Sequence, residues 1–211
     1  MAMFLSWMGF SAKMVQDKES FLVGKMGQKI TGDNITLVDD AGDPRTMGLP
    51  FDFEGVPKQK LVLIENGIAK NYAHSWKTAK KEGVESTGHY LGMEEPLPVN
   101  MVLMPGDKSK DELIASTEQG VLVSRFHYTN IVNPMETVIT GMTRDGTFLI
   151  ENGKIAKGLT NFRFTQNILG ALADNDGLSR EQRFSSAFFG GGAVVPAVKV
   201  KSFNFSGKTG F

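Results

Sequence analysis

Cysteine is absent from the 211 residues. That excludes a disulfide framework and any thiolate ligand for zinc, so the fold rests on its apolar core, and a reducing compartment, the cytoplasm, is the expected location. Net charge is missing too. With 23 basic residues against 23 acidic ones, the chain as a whole has no electrostatic attraction for nucleic acid or an anionic membrane, and neither is expected as a partner. The apolar opening, Met1 to Phe10, has no basic residue ahead of it, is too short to span a bilayer and soon meets Lys13, which argues against a signal peptide. Phe4, Leu5, Met8, Ala12 and Val15 instead fall at helical spacing and predict a helix docked on the core.

Motifs of common enzyme chemistries are missing as well. Without a GxSxG elbow, a P-loop or a GxGxxG after a strand, a covalent hydrolase or nucleotide enzyme is unsupported. Histidine is scarce. His74, His89 and His127 lie in separate segments, no two at ligand spacing on one helix or turn, so they are weak ligand candidates that form a zinc site only if the fold gathers them. Asp39-Asp40, Asp52 and Glu54 do not match an EF-hand, and Gly42 and Gly55 nearby suggest turns with solvated acids.

What is present is rich in strand signals. The segments Leu63 to Lys70 and Leu149 to Lys157 nearly repeat each other, and both open with Leu-Ile-Glu-Asn-Gly. Each predicts a β-hairpin, because Asn66-Gly67 and Asn152-Gly153 supply the positive φ angles of a type I′ turn. Further strands are expected at 36–39, 101–104, 120–127, 137–143, 146–150 and 194–205, with Arg144-Asp145-Gly146 as a turn. Ser109 and Glu112 form a capping box that opens a helix ending near Gly120, and Phe162 to Ala173 carries helical spacing closed by 174–177. Gly190-Gly191-Gly192 is read as a flexible loop. The expected fold is α+β: a mainly antiparallel β-sheet domain, barrel- or sandwich-like, with a few peripheral helices, and 1–211 as one domain.

Several of these segments occur in an order that resembles the C-terminal domain of the TldD/PmbA proteins, metallopeptidases and their non-catalytic partners. They are Ser20 to Ile30, Asp39-Asp40, Phe51-Asp52-Phe53-Glu54-Gly55-Val56-Pro57 leading into the first LIENG hairpin, Ser86-Thr87-Gly88, Met104-Pro105-Gly106-Asp107, the second LIENG hairpin, and 195–209. The resemblance spans essentially the whole chain, with the family's N-terminal domain absent. Catalytic members carry HExxxH just before the segment resembling Ser20 to Ile30, and a cysteine near the C-terminus. Here the corresponding stretch, Met3 to Lys13, has no histidine and no glutamate.

The resemblance therefore implies the non-catalytic TldE/PmbA-like side of the family, with no catalytic or metal residue in this chain and zinc only in a partner. The implied partners are a TldD-like zinc-bearing subunit or a second copy, and the implied substrate is an unfolded peptide. The apolar first ten residues are a candidate surface for that partner. The alternatives are a stand-alone peptide- or protein-binding module, or an enzyme with a new site at His74, His89 or His127.

Overall fold

The computed structural model describes residues 1–186 and 191–208. Helices α1 (Ala2–Gly9) and α2 (Ala12–Gln16) open the chain. A six-stranded sheet follows in the spatial order β3 (Ile68–Ala69), β2 (Leu61–Glu65), β1 (Leu37–Asp39), β4 (Asn100–Leu103), β10 (Gly192–Val200), β9 (Asn175–Ser186), antiparallel except where β4 meets β10. In a second sheet β11 (Phe205–Lys208), β8 (Phe162–Asn167), β6 (Val138–Glu151) and β5 (Gln119–Asn133) lie in that order, and β7 (Lys154–Gly158) also pairs with β6. Helices α3 (Trp76–Glu82), α4 (Lys110–Ala115) and α5 (Ile168–Ala173) are peripheral. This is the expected α+β, mainly antiparallel architecture, built as open sheets rather than a closed barrel.

One apolar core joins both sheets and the N-terminal helices. Leu5 and Met8 of α1, Leu63 of β2, Met101 of β4, Ile139 of β6 and Phe164 of β8 are all fully buried in it. Phe10 and Phe21 meet edge to face at 5.3 Å. Gly9 permits that contact, since a Cβ there would lie 2.5 Å from the Phe21 ring. The opening segment is thus absorbed by its own core rather than held out as a bare surface. It is two helices instead of one, because Ser11 is extended (φ −109°, ψ 127°) and the chain pairs there with Ala73.

Four further expectations are corrected. Arg144-Asp145-Gly146 is a bulge inside one continuous β6: Asp145 and Gly146 together oppose Ser124, flanked by the pairs Val123 with Thr147 and Arg125 with Arg144. Residues 162–173 are half strand, because β8 is paired on both sides, by β6 and β11, and the Asn167 side chain accepts the Gly170 N–H (2.5 Å) to start α5 only there. The run 194–205 breaks after Val200 and changes sheets, which lets Val198 and then Phe203 and Phe205 all pack on the core. Helix α4 begins at the Ser109–Glu112 capping box but stops at Ala115, where the Ser116 and Thr117 hydroxyls donate to the Leu113 carbonyl. Gly190 lies outside the described residues, while Gly191 has positive φ and Gly192 opens β10.

Candidate functional site

Three segments far apart in sequence converge on the end of β1. Asp39 is fully buried there: one carboxylate oxygen accepts the Asn100 N–H at 2.7 Å and the other lies 3.2 Å from His89 Nε2. His89, also fully buried, contacts Thr87 Oγ1 through Nδ1 at 2.9 Å. That hydroxyl oxygen accepts the His74 N–H at 2.8 Å. The Asn100 side chain accepts the Gly48 N–H at 3.2 Å, so β1, β4, the 46–50 segment and the 86–90 segment share one buried polar hub.

Asp52 forms the second half of the hub. Its Oδ1 accepts the N–H groups of Glu54 (2.9 Å) and Val56 (3.0 Å), and its Oδ2 accepts that of Tyr90 (3.0 Å). Asp52 is 1% exposed, so Asp39 and Asp52 are buried acceptors rather than solvated acids. The central position of β1, buried along its length, and the wrapping of the 50–57 loop around its own carboxylate account for the difference. Asp40 and Glu54 do face outward: Asp40 pairs with Lys60 at 2.8 Å, and Glu54 accepts the Trp76 N–H at 2.8 Å. Lys58, which nothing in the sequence marked, tucks its Nζ into the protein near both buried acids; burial lowers its pKa while the charges of Asp39 and Asp52 oppose the shift.

His74 and His89 are linked through Thr87, whereas His127 lies on β5 with its ring against Tyr128 at 4.5 Å. His74 is buried beside Tyr72 and Glu82, its Nε2 3.8 Å from the Glu82 carboxylate. Burial lowers the His74 pKa, with Glu82 opposing, and the Tyr72 phenol that donates to Glu82 is pushed up to about 12, by burial first. Among the described residues no group of three or more His, Asp or Glu is arranged to hold a metal ion.

Thr87, His89 and Asp39 line up as hydroxyl, imidazole and carboxylate, yet the arrangement is closed to substrate. Thr87 is 8% exposed and its oxygen is already engaged by the His74 amide. The hub therefore holds loops. Above it stand Phe51, Phe53 and Trp76, each more than 60% exposed, presented by the loop that Asp52 ties down and by α3.

At the position where the resemblance places HExxxH, α1 offers Met3, Leu5 and Met8 to the core, and Ser6 Oγ donates to the Pro98 carbonyl at 2.6 Å. That set holds no imidazole, carboxylate or thiolate and does not fit a zinc ion. The two Asn-Gly pairs lie on the other side of β1 and at the end of β6. Asn66 and Gly67 have φ of 48° and 82°, and Asn152 and Gly153 have φ of 49° and 74°. Each glycine abuts backbone, since a Cβ would stand 2.7 Å from the Thr31 and Gly32 carbonyl oxygens at Gly67 and 2.5 Å from the Ala115 carbonyl oxygen at Gly153.

Comparison with known proteins finds relatives in both sequence and fold. A metalloprotease of Methanothermobacter thermautotrophicus is 30% identical over 190 residues, covering 88% of this chain and 41% of that protein. The crystal structure of a Thermotoga maritima protein proposed to modulate a DNA gyrase superposes with a TM-score of 0.84 at 30% identity, over 96% of this chain and 46% of that one. TldE from Thermococcus kodakarensis superposes with a TM-score of 0.81 at 28% identity, over 94% of this chain and 45% of that one. The chain thus spans less than half the length of these relatives. The family profile described as the PmbA/TldA metallopeptidase C-terminal domain matches residues 1–207, and the chain belongs to that TldD/PmbA family.

Proposed function

We propose that this chain is the non-catalytic, TldE/PmbA-like component of a cytoplasmic assembly in which a zinc-bearing TldD-type subunit cleaves unfolded peptides. The observation that carries the reading is the composition of α1. Where catalytic relatives are expected to hold HExxxH, the side chains are apolar and committed to packing, and converting them into ligands would dismantle the core around Leu5 and Met8. The second potential source of chemistry, the Thr87–His89–Asp39 line, is used internally. The name TldE on a protein of the same fold adds support.

The test is reconstitution. Cleavage of an unfolded peptide is followed with the chain alone, with a zinc-bearing TldD-type subunit alone, and with both. The reading expects the chain alone to be inert and the mixture to exceed the partner alone. Cleavage by the chain alone, or a partner rate indifferent to its addition, would refute it.

A further inference from the structure

The two Asn-Gly turns carry a covalent reactivity that the proposed function does not use. Both read Glu-Asn-Gly, at Glu65-Asn66-Gly67 and at Glu151-Asn152-Gly153, so in an unfolded chain the two asparagines have the same tendency to deamidate. Asparagine is a thermolabile residue, and a following glycine puts no side chain in the way of the reaction. The glycine backbone nitrogen, having given its proton to hydroxide, attacks the asparagine side-chain carbonyl carbon. The new C–N bond closes a succinimide, the bond to the side-chain nitrogen breaks, and that nitrogen takes a proton from water and leaves as ammonia. Water then opens the ring at one carbonyl or the other, giving aspartate or isoaspartate. Since local sequence is shared, any difference in rate between the two sites is set by the fold.

The fold holds the two attacking nitrogens differently. The Gly67 N–H donates to the Ile35 carbonyl at 2.8 Å and the Gly153 N–H to the Thr117 carbonyl at 2.9 Å, so each must be released before it can react. At Gly67 release means opening the core. Gly67 is buried, its carbonyl accepts the Ile30 and Thr31 N–H groups, the Asn66 N–H donates to Thr36 Oγ1 at 3.1 Å, and the flanking Ile64 and Ala69 are fully buried. Gly153 is only half-buried. The strand it opens, β7, is exposed at all five of its positions and pairs, among the described residues, with β6 alone, through a register shift between Leu149 and Ile150. Opening free energies run from near zero where few apolar contacts are buried up to the stability of the whole fold. Strand β7 belongs at the low end of that range, and the β2–β3 turn at the high end.

We propose that Asn152 is a site of spontaneous deamidation in the folded protein, reached by opening of β7 alone, while Asn66 is shielded until the whole fold opens. The product changes the structure at that point. A carboxylate at position 152 stands directly beside Glu151, and isoaspartate also places an extra carbon in the backbone of a two-residue turn. Hairpin register is fixed by turn geometry, so the lengthened turn cannot hold Glu151 opposite Lys154 and Ile150 opposite Ile155. Strand β7 then leaves β6, with Lys154 and Lys157 on a loose segment. The covalent mark of age at Asn152 is thus also a local unfolding.

Incubation of the purified chain at mildly alkaline pH, followed by digestion and mass spectrometry, tests the assignment. The amide-to-acid mass gain is read at each asparagine, and labelling by an isoaspartyl methyltransferase marks the isoaspartate. In the native chain Asn152 is expected to convert at least about tenfold faster than Asn66. Dilute urea should accelerate Asn66 more steeply than Asn152, because global opening exposes more surface than local opening, and in strong urea the two rates should converge. Asn152→Gly, which suits a positive-φ turn, should keep its circular dichroism and lose the fast phase of ammonia release. Trypsin should cut aged wild type at Lys154 and Lys157 faster than fresh wild type or aged Asn152→Gly. Equal rates in the native chain, faster conversion at Asn66, or a urea dependence as steep at Asn152 as at Asn66 would overturn the proposal. So would rates that stay apart in strong urea, which would place the difference in sequence rather than fold, or trypsin cleavage indifferent to age.

Discussion

Replacing Gly67 by alanine should cost far more than replacing Gly55 by alanine, although both glycines have nearly the same left-handed backbone. Their φ values are 82° and 77°. At Gly55 nothing lies within 4 Å of an added Cβ, so Gly55→Ala carries only the left-handed penalty, about 1 kcal/mol. At Gly67 the Cβ would stand 2.7 Å from two carbonyl oxygens, closer than carbon and oxygen approach without displacement. Those oxygens belong to backbone, and the same glycine donates its N–H to Ile35 and accepts from Ile30 and Thr31, so the chain cannot move without weakening that junction. Overpacking of this kind adds about 1 to 3 kcal/mol. Gly67→Ala should therefore cost about 2 to 4 kcal/mol in all, and Gly67→Val more, because a β-branched side chain is worse at positive φ. Urea denaturation followed by circular dichroism reads the difference as a shift in midpoint, with m-values of about 1 to 3 kcal/mol/M setting the scale. If Gly67→Ala were no more destabilising than Gly55→Ala, the close packing of the first Asn-Gly turn would be refuted.

The buried hub gives a second expectation: Asp39→Asn, which must turn its amide nitrogen toward either the Asn100 N–H or His89, should destabilise by about 1 to 3 kcal/mol, and thermal unfolding at wild-type stability would remove Asp39 from the hub. Asp52→Ala should leave three backbone N–H groups without their acceptor and loosen the loop bearing Phe51 and Phe53, which faster amide exchange at Glu54, Val56 and Tyr90 would register. His74 supplies a pH dependence whose sign is fixed by its lowered pKa. The unfolded chain binds a proton at about the ordinary value of 6.5 and the folded chain only at lower pH, so this contribution to stability is present above 6.5 and lost as pH falls below it. His74→Gln should flatten the stability profile in that window, and an unchanged slope would count against His74 as its source.

What could be read from the sequence was local. The Ser109–Glu112 capping box and the apolar face of the first helix depend on neighbours a few residues away, and both stand in the structure. The helical spacing of Phe162 to Ala173 misled because Phe162 and Phe164 also alternate as a strand does, and pairing with β6 and β11 decides between the two. Asp145-Gly146 has turn chemistry, but the long pairing of β5 with β6 absorbs it as a bulge. The hub was hidden for the same reason. Asp39, Asp52, Thr87, His89 and Asn100 come from separate stretches of sequence, and only the convergence of β1, β4 and the connecting loops buries them together. Lys58 carries no local sign of burial, since its side chain is covered only when the 50–57 loop folds back toward Asp39 on β1.

Zinc titration of the purified chain by calorimetry asks whether α1 supplies packing residues or metal ligands. A chain whose α1 residues are packing rather than ligands is predicted to show no stoichiometric zinc site, with heats no larger than those of a control that replaces His74, His89 and His127. One zinc bound per chain at submicromolar affinity would contradict the account and return the chain to the catalytic side of its family.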